Sequence, residues 1–325
     1  MATVIQNLVS TIIPVHNRPD LLREAVSSVL AQSYRPIEII IIDDGSDDDT
    51  PLVADQLASA HTGEIRVIHQ RNQGVGLARE TGRQQACGEF IQYLDSDDIL
   101  LPRKFELQIS ALRAHPDCVV AYGMTAFASH GNTPLPDPWK RTGERFAAMF
   151  PSFLLSRWWD TSTPLYRRSI CDRAGPWLEL SNEEDWEYDC RVASLGASLC
   201  YVDEFVSHTR EHGGHRLSRG GAHDPRKLRD RARAHELILG HAQRAGIRSE
   251  QPEMQHFARA LFLLARQCGA TGLAAEARQL FLLSRQAAGE KRGAQMDYRI
   301  YELFAKTAGW TRAGSISCWV DQWRR

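Results

Sequence analysis

Two stretches of the chain place acidic residues directly after an apolar run: Ile37-Glu-Ile-Ile-Ile-Ile-Asp-Asp-Gly-Ser46 and Phe90-Ile-Gln-Tyr-Leu-Asp-Ser-Asp-Asp98. Apolar runs of this kind predict central strands that are buried on both faces. In open parallel sheets, ligands bind outside the carboxyl ends of the strands. The two stretches therefore predict an α/β fold in which carboxylates gather along one edge of a sheet.

The segments around these stretches alternate between strand and helix patterns, which is typical of a parallel sheet covered by helices. The stretch 125–160 is rich in Gly, Pro and aromatic residues and predicts an irregular, substrate-facing insertion. Further strands are predicted at residues 9–15, 65–69, 162–166 and 198–202, and helices at residues 19–29, 51 onward, 76–86, 102–115 and 185–195.

The charge of the chain is distributed unevenly along its 325 residues, although 39 basic and 40 acidic side chains nearly cancel. Residues 1–221 carry 21 basic and 30 acidic side chains, a net charge of −9, whereas residues 222–325 carry 18 and 10, a net charge of +8. Apolar residues recur at helical spacing after residue 223 and predict a helical hairpin over 258–284. We therefore expect two domains, an α/β domain over 1–221 and a basic all-α domain over 222–325.

Composition excludes several classes of protein. With 43% hydrophobic and 24% charged residues the chain is typical of a globular protein. The longest purely aliphatic run, 39–42, is far shorter than the roughly 20 residues of a membrane span. Seven scattered cysteines without a Cys-x-x-Cys pair favour reduced thiols. With no signal peptide pattern, we expect a cytoplasmic protein, peripheral at most on the inner face of the plasma membrane.

Asp95 and Asp97 are candidate ligands of a divalent cation, because carboxylates two residues apart lie on the same side of an extended chain. The alternative is that they favour the start of the helix near Pro102. Asp43 and Asp44 end the other buried strand, where a carboxylate can accept a hydrogen bond from a uracil ring or a ribose. We expect the residues that follow, Ser46 and Asp47 to Asp49, to cap the next helix.

The glycine-containing segment Asn72-Gln-Gly-Val-Gly-Leu-Ala-Arg79 does not fit a dinucleotide-binding turn, because Arg79 stands where the third glycine belongs. In their order along the chain, the quoted segments resemble the successive motifs of family 2 glycosyltransferases of the GT-A fold. The resemblance covers about residues 8–218 and rests on these segments: Val9-Ser-Thr-Ile-Ile-Pro-Val-His-Asn17, residues 40–46, residues 72–79, residues 88–98, Glu184-Asp-Trp-Glu187 with Arg191, and Arg210-Glu-His212.

The resemblance implies a GT-A domain with a Rossmann-like mixed sheet, followed here by the all-α domain. It also implies a metal-dependent, inverting transfer with Mn²⁺ or Mg²⁺ as cofactor. One departure is Glu80, where many members have Asn after the Ala-Arg pair. The implied site consists of Pro14, Asn17, Asp44, Arg79 and Asp95 at the nucleotide, Asp97 and His212 at the metal, and Asp185 as the catalytic base.

The chemistry of sugar transfer needs these groups independently. Negative charge develops on the leaving diphosphate, which a cation stabilises, and the acceptor hydroxyl must lose a proton to a base. Crowding of acidic residues beside Trp186 could raise the pKa of the Asp185 carboxyl, although such a run is also typical of a solvated helix start. His208, His212 and His215 are three candidates for one position at the metal.

Trp158 and Trp159, with Glu184 and Trp186, are candidate contacts of the acceptor or the sugar. Aromatic rings suit the apolar faces of sugars, but tryptophan pairs are equally common in protein cores. Gly213 and Gly214 indicate a loop able to close over a bound donor.

The basic C-terminal domain has three possible anionic partners: a lipid surface, a glycan, or the acidic domain of a second copy in a homo-oligomer. Trp310, Trp319 and Trp323, interleaved with arginines, resemble an interfacial element. The alternative is a packed helical cap with solvated arginines. No nucleic-acid-binding motif accompanies the charge, so we expect no nucleic acid partner.

The sequence thus predicts transfer of a sugar, from a UDP-sugar or a related donor, to a glycan or lipid-linked saccharide during polysaccharide biosynthesis. The alternative function is a non-catalytic nucleotide-sugar-binding protein or scaffold that acts through its helical domain.

Overall fold

The computed structural model describes residues 3–129, 133–211 and 224–322, which form two compact units. The first unit contains the described residues up to 149, 158–179 and 195–211. The second contains 150–157, 180–194 and 224–322. The expected domain boundary between residues 221 and 222 lies outside the described residues. Two segments that we expected in the first domain, 150–157 and 180–194, belong to the second unit.

The described strands form one eight-stranded mixed sheet in the first unit, with the order β3-β2-β1-β4-β7-β6-β8-β5. β1 to β4, β6 and β8 run in one direction, and β5 and β7 are antiparallel to their neighbours. The strands are β1 (Ile5–Val15), β2 (Ile37–Asp44), β3 (Ile65–Gln70), β4 (Gly88–Tyr93), β5 (Ile99–Leu100), β6 (Cys118–Ser129), β7 (Leu165–Arg167) and β8 (Ser198–Glu211).

The apolar runs occupy the centre of this sheet, as the sequence predicts. In β2, Ile39 to Ile42 are fully buried, and β1 lies between β2 and β4 with Ile12 opposite both Ile40 and Tyr93. Because β1, β2 and β4 are parallel, their carboxyl ends meet at one edge of the sheet. The helices of the first unit are α1 (Pro19–Leu30), α2 (Thr50–Ala60), α3 (Val75–Gln85), α4 (Lys104–Ala114) and α5 (Arg168–Ala174).

The prediction of an irregular segment from residue 125 was wrong over its first residues, because β6 continues to Ser129 and pairs with β8. β8 likewise extends well beyond the predicted residues 198–202. Gly123 allows the two strands to approach, since a Cβ there would lie 2.9 Å from the Glu204 carbonyl oxygen. The last residues of β6 therefore form a strand because they pair with β8, and not because they are rich in β-branched residues.

The described part of the second unit contains six α-helices and a short 3-10 helix (Ser152–Leu154), and the predicted hairpin is confirmed as α8 and α9. Gly272, with a φ of +86°, lies in the connection between those two helices. Among the described residues, no helix combines the length and the apolar composition that crossing a bilayer requires. The helices are α6 (Glu184–Ser194), α7 (Pro225–Arg244), α8 (Pro252–Ala270), α9 (Ala274–Gly293), α10 (Met296–Ala308) and α11 (Trp310–Gln322).

Candidate active site

Asp44, the last residue of β2, is buried and holds the glycine-containing loop before α3. Its Oδ1 accepts hydrogen bonds from Gln70 Nε2 at 2.8 Å and from the Gln73 amide at 2.9 Å, and its Oδ2 accepts one from the Gly74 amide at 2.9 Å. Pro14 lies beside it in β1, buried and opposite Ile42 of β2. The structure therefore places Asp44 and Pro14 at the same edge of the sheet as the carboxylates that follow β4.

Asn17 joins the loop after β1 to the loop after β2, and this contact corrects the predicted cap. The Asn17 amide donates to Ser46 Oγ at 3.0 Å, while its side chain donates to and accepts from Asp47. Ser46 and Asp47 are thus occupied by Asn17 and do not cap α2. Asp48 alone performs that function, accepting the Thr50 amide at 2.8 Å. Asn17 has a φ of +53°, which asparagine tolerates better than most residues.

Asp43 is held by residues on the outer side of the same loop. Its Oδ1 accepts the Ser46 amide at 3.0 Å, and its Oδ2 lies 2.8 Å from His69 Nδ1. The other ring nitrogen of His69 lies 3.1 Å from Asp55 Oδ1. The hydrogen bond with Asp43 raises the pKa of His69, supported by Asp55 and opposed by partial burial.

Asp95, which follows β4, is paired with Arg79 of α3. The Arg79 guanidinium donates to Asp95 Oδ1 at 2.6 Å and lies over the Trp177 ring, 4.8 Å from its centre. Arg79 is almost fully buried, whereas about a third of the Asp95 side chain is exposed. A buried arginine that ends at a half-exposed carboxylate presents both charges at the edge of the sheet.

Asp97 is likewise paired with an arginine. Arg18, from the loop after β1, donates to Asp97 Oδ2 at 2.9 Å. Arg210 of β8 donates from Nε to the Asp97 backbone oxygen at 2.7 Å, and it also forms an ion pair with Glu24. The loop that carries Asp97 is therefore held from two sides by cations.

Asp98 is the buried member of the cluster. Ser162 Oγ donates to its Oδ2 at 2.9 Å and the Arg210 amide donates to its Oδ1 at 3.3 Å. Burial raises the pKa of Asp98 well above its ordinary value, and the neighbouring charges of Asp97, Asp95 and Asp160 act in the same direction. Asp98 thus has a structural role beside the partly exposed Asp95 and Asp97.

A divalent cation fits Asp95 and Asp97 only together with a ligand that supplies further oxygens. Within the described ranges, no three His, Cys, Asp or Glu side chains lie close enough to hold a metal ion by themselves. Mg²⁺ in phosphate-transfer sites is commonly bound by one or two carboxylates, waters and substrate phosphates. The hard carboxylate oxygens of Asp95, a third exposed, and of Asp97, 15% exposed, match that donor set.

Asp185 lies in the first turn of α6, in the second unit, where Arg157 bridges it to Asp189. The Arg157 guanidinium donates to Asp185 Oδ2 at 2.7 Å and to Asp189 Oδ2 at 2.8 Å. Asp189 is buried, while more than a quarter of the Asp185 side chain is exposed. Arg157 therefore fixes the position of the partly exposed Asp185 carboxylate against the buried Asp189.

The acidic residues beside Asp185 are not a solvated helix start. Glu187 is buried and accepts from Arg191 at 2.7 Å and lies 2.8 Å from His241 Nε2. Although burial raises the pKa of Glu187, these two partners outweigh it and lower the pKa. Glu184 is buried as well, and Trp186 donates from its ring to the Phe153 oxygen at 2.9 Å.

Trp158 and Trp159 lie in the core of the first unit, as the alternative interpretation held. Both rings are buried, and their centres lie 5.2 and 5.6 Å from that of Tyr122. Phe146 stacks on Trp158 at 4.4 Å. Rings enclosed by other side chains offer no face to a sugar, so the predicted acceptor contact at this pair was wrong.

The histidine candidates cannot all be placed. His212 and His215 lie outside the described residues, as do Gly213 and Gly214. His208 pairs with Ile99 between β8 and β5, and burial together with Arg210 lowers its pKa.

Sequence reasoning missed two of the arginines that accompany the carboxylates, Arg18 and Arg157, whereas Arg79 was among the predicted site residues. Arg18 was visible only as part of a helix start, and Arg157 is 28 positions from Asp185. Trp177 and His69 were likewise not predicted. An acidic motif gives no signal of a basic partner that is distant in sequence. The position of Arg18 just after β1, at the edge of the sheet where Asp97 lies, could have indicated the Arg18–Asp97 pair.

A mixed sheet with carboxylates at the carboxyl ends of its parallel strands, together with a helical unit, defines an open-sheet α/β protein. Residues 10–172 match the profile of Glycosyl transferase family 2, which is half of the chain. The chain therefore belongs to the family 2 glycosyltransferases.

Individual relatives agree with this assignment. The putative glycosyltransferase EpsH of Bacillus subtilis is 31% identical over 213 residues, covering 63% of this chain and 61% of EpsH. This chain thus spans about three fifths of that relative. An uncharacterized glycosyltransferase of Rickettsia conorii, RC0461, is 35% identical over 132 residues, or 40% of this chain and 22% of that protein.

Solved structures show the fold over nearly the whole chain. Staphylococcus aureus TarS 1-349 in complex with UDP-GlcNAc matches with a TM-score of 0.67 and 18% identity, covering 95% of this chain and 90% of that one. The mannosyltransferase PcManGT of Pyrobaculum calidifontis, in complex with GDP-Man and Mn²⁺, matches with a TM-score of 0.51 and 15% identity, covering 95% and 86%. The GT-A fold with C-terminal helices is therefore confirmed.

Proposed function

We propose that this chain transfers a sugar, with inversion at the anomeric carbon, from a nucleoside diphosphate donor to a hydroxyl of a glycan or lipid-linked saccharide. The observation that carries the proposal is the pairing of Asp95 with Arg79 and of Asp97 with Arg18 at the strand ends. A diphosphate donor needs both charges, since carboxylates bind its cation and guanidinium groups bind phosphate oxygens.

The cation would be Mn²⁺ or Mg²⁺, held by Asp97 with Asp95 beside it, and it would stabilise the negative charge that develops on the leaving diphosphate. Arg18 and Arg79 place fixed positive charge at the same edge of the sheet and act in the same sense. Asp97, as a partner of Arg18, also limits the directions that this arginine can take. His212 remains a proposed further ligand.

The nucleoside would bind against Pro14, Asn17 and the loop held by Asp44. An ionised carboxylate offers about four acceptor sites. Three hydrogen bonds reach Asp44 from Gln70, Gln73 and Gly74. The carboxylate therefore retains capacity for a ring N–H or a ribose hydroxyl. We favour uridine as the nucleoside, because TarS, which has this fold, was solved with UDP-GlcNAc.

Asp185 would accept the proton of the acceptor hydroxyl as the attack begins. Arg157 supports this role, because it fixes the position of the carboxylate through Asp189. More than a quarter of the Asp185 side chain is exposed, and we infer that an acceptor hydroxyl reaches it there. Arg157 is thus a positioning residue in the proposed reaction.

A panel of UDP-, GDP-, ADP- and CDP-sugars tests the proposal, with release of the nucleoside diphosphate as the readout in Mn²⁺, in Mg²⁺ and in a chelator. We expect turnover of a UDP-sugar that requires the cation. The matched control is Asp203→Ala, which removes an exposed carboxylate of the first unit that pairs with Arg145. Absence of turnover with every donor, or equal turnover in the chelator, would contradict the proposal.

A further inference from the structure

The helix α10 presents large apolar side chains on the side opposite its buried face. Tyr298, Tyr301 and Ala305 face inward and are buried. Three side chains at positions i, i+4 and i+7 point outward and form what we call the apolar stripe: Met296 at 66%, Ile300 at 59% and Leu303 at 66% exposure. This spacing covers one side of a helix, so the stripe is continuous along α10.

The next helix extends the exposed apolar surface. α10 and α11 contact each other, and α11 exposes Ile316 at 50% and Trp319 at 59%. Trp310 behaves differently, since its ring contacts Phe281 at 5.4 Å and Tyr301 at 6.1 Å within the helical unit. Five of the large apolar side chains that are exposed in the described structure therefore belong to these two helices.

The charges around the stripe are positive once internal ion pairs are taken into account. Asp297 is paired with Arg292 at 2.6 Å, and Glu302 is paired with both Arg285 and Lys306 at 2.7 Å. Arg299 and Arg312, in contrast, are exposed and form no ion pair within the described part of the chain. The acidic side chains near the stripe are thus neutralised, while two guanidinium groups remain available.

We propose that the apolar stripe, flanked by Arg299 and Arg312, docks on the surface of a membrane that contains anionic lipid. Apolar side chains that enter the boundary of the acyl chains, with arginines at the level of the headgroups, are the features of an interfacial helix. Arg299 and Arg312 complement the charge of anionic headgroups, and the exposed apolar side chains beside them match the boundary of the acyl chains. A dimer formed through the stripe is the alternative outcome of the test. The proposal does not depend on the donor or on the catalytic base.

Vesicle flotation of the full chain tests it, using phosphatidylcholine vesicles with and without phosphatidylglycerol. We expect binding to the anionic vesicles only, weakened by salt. The double variant Ile300→Glu/Leu303→Glu should lose binding, and Arg299→Gln and Arg312→Gln should each weaken it about fivefold. Leu52→Glu, at a side chain of α2 that is 58% exposed, is the control and should bind as the unchanged protein does.

Three results would overturn the proposal. One is no binding to either vesicle, and another is equal binding to both. The third is a dimer of the unchanged protein that Ile300→Glu dissociates without any effect on vesicles, which would assign the stripe to a contact between copies. Because all four substituted side chains are exposed, unchanged thermal unfolding of the variants separates these results from misfolding.

Discussion

The two units position their acidic residues in different ways. In the first unit, Asp44, Asp95 and Asp97 follow strands whose register is set by buried apolar runs, so their place at one edge follows from the parallel sheet. In the second unit, Asp185 is positioned by Arg157, which belongs to a separate segment of the chain. The position of a carboxylate at a strand end can therefore be predicted from local sequence. The position of a carboxylate held by a distant arginine depends on tertiary structure and cannot.

Asp185→Asn gives the largest expected effect and tests the second unit directly. We expect transfer to fall by about 10²–10⁴-fold, since the amide cannot accept the proton, while nucleotide binding is retained. Steady-state transfer and nucleotide titration measure both quantities. The control is Asp230→Asn, a carboxylate of the same unit that binds Ser181. Unchanged transfer by Asp185→Asn would remove Asp185 as the base.

Arg157→Gln tests whether the bridge positions the base. Arg157 donates to both Asp185 and Asp189, so Arg157→Gln removes the group that links these two carboxylates. We expect kcat to fall about 10–10²-fold with little change in KM for the donor. Steady-state transfer at varied donor concentration measures both constants.

Two further variants separate positioning from stability. Arg157→Lys keeps the charge but not the bridge, and we expect it to restore only part of kcat. Arg266→Gln removes another largely buried arginine of the same unit, which pairs with Asp321, and it should lower stability without lowering kcat. If Arg157→Gln lowers thermal stability and leaves kcat unchanged, the arginine is merely structural.

Gly45→Ala tests whether the loop after β2 in the first unit tolerates a side chain at its glycine. Gly45 has a φ of +72°, and a Cβ there would lie 2.6 Å from the Asn72 amide nitrogen. We expect a loss of about 1–3 kcal/mol in the free energy of unfolding, measured by urea denaturation. Gly63→Ala is the control, because its φ is +92° but nothing lies within 4 Å. Equal losses in both would mean that the close approach to Asn72 has no cost.

The smallest expected effect concerns His69. Because its pKa is raised above 6.5 by Asp43, its charged form stabilises the folded state below pH 6.5. This contribution is lost as pH rises through the raised pKa. It should stay below about 1 kcal/mol, since the ring is partly exposed. Urea denaturation of His69→Gln should therefore differ from the unchanged protein more at low pH than at high pH, and a difference that does not vary with pH would contradict this account.

The parts of the structure that could be predicted are those in which apolar residues form a continuous run or recur at helical spacing. The buried runs before Asp43 and Asp95 predicted β2 and β4, and apolar spacing predicted the α8–α9 hairpin. The end of β8 could not be predicted, because its polar residues are ordered by pairing with β6.

Two errors at the site have physical reasons. Serine is a common helix cap, but the Ser46 hydroxyl instead accepts a hydrogen bond from the Asn17 amide, which is 29 positions away. Trp158 and Trp159 were ambiguous because a tryptophan ring suits both a core and a sugar, and only the enclosing side chains decide between the two.

The central claim is that the carboxylates after β4 bind a nucleoside diphosphate together with a divalent cation. Thermal unfolding with UDP and Mn²⁺, added singly and together, tests it most directly in the unchanged protein and in Asp97→Ala. We predict that UDP with Mn²⁺ raises the Tm of the unchanged protein more than either alone, and that Asp97→Ala abolishes this increase. An equal increase in Asp97→Ala, or no increase with UDP or any other nucleoside diphosphate, would contradict the account.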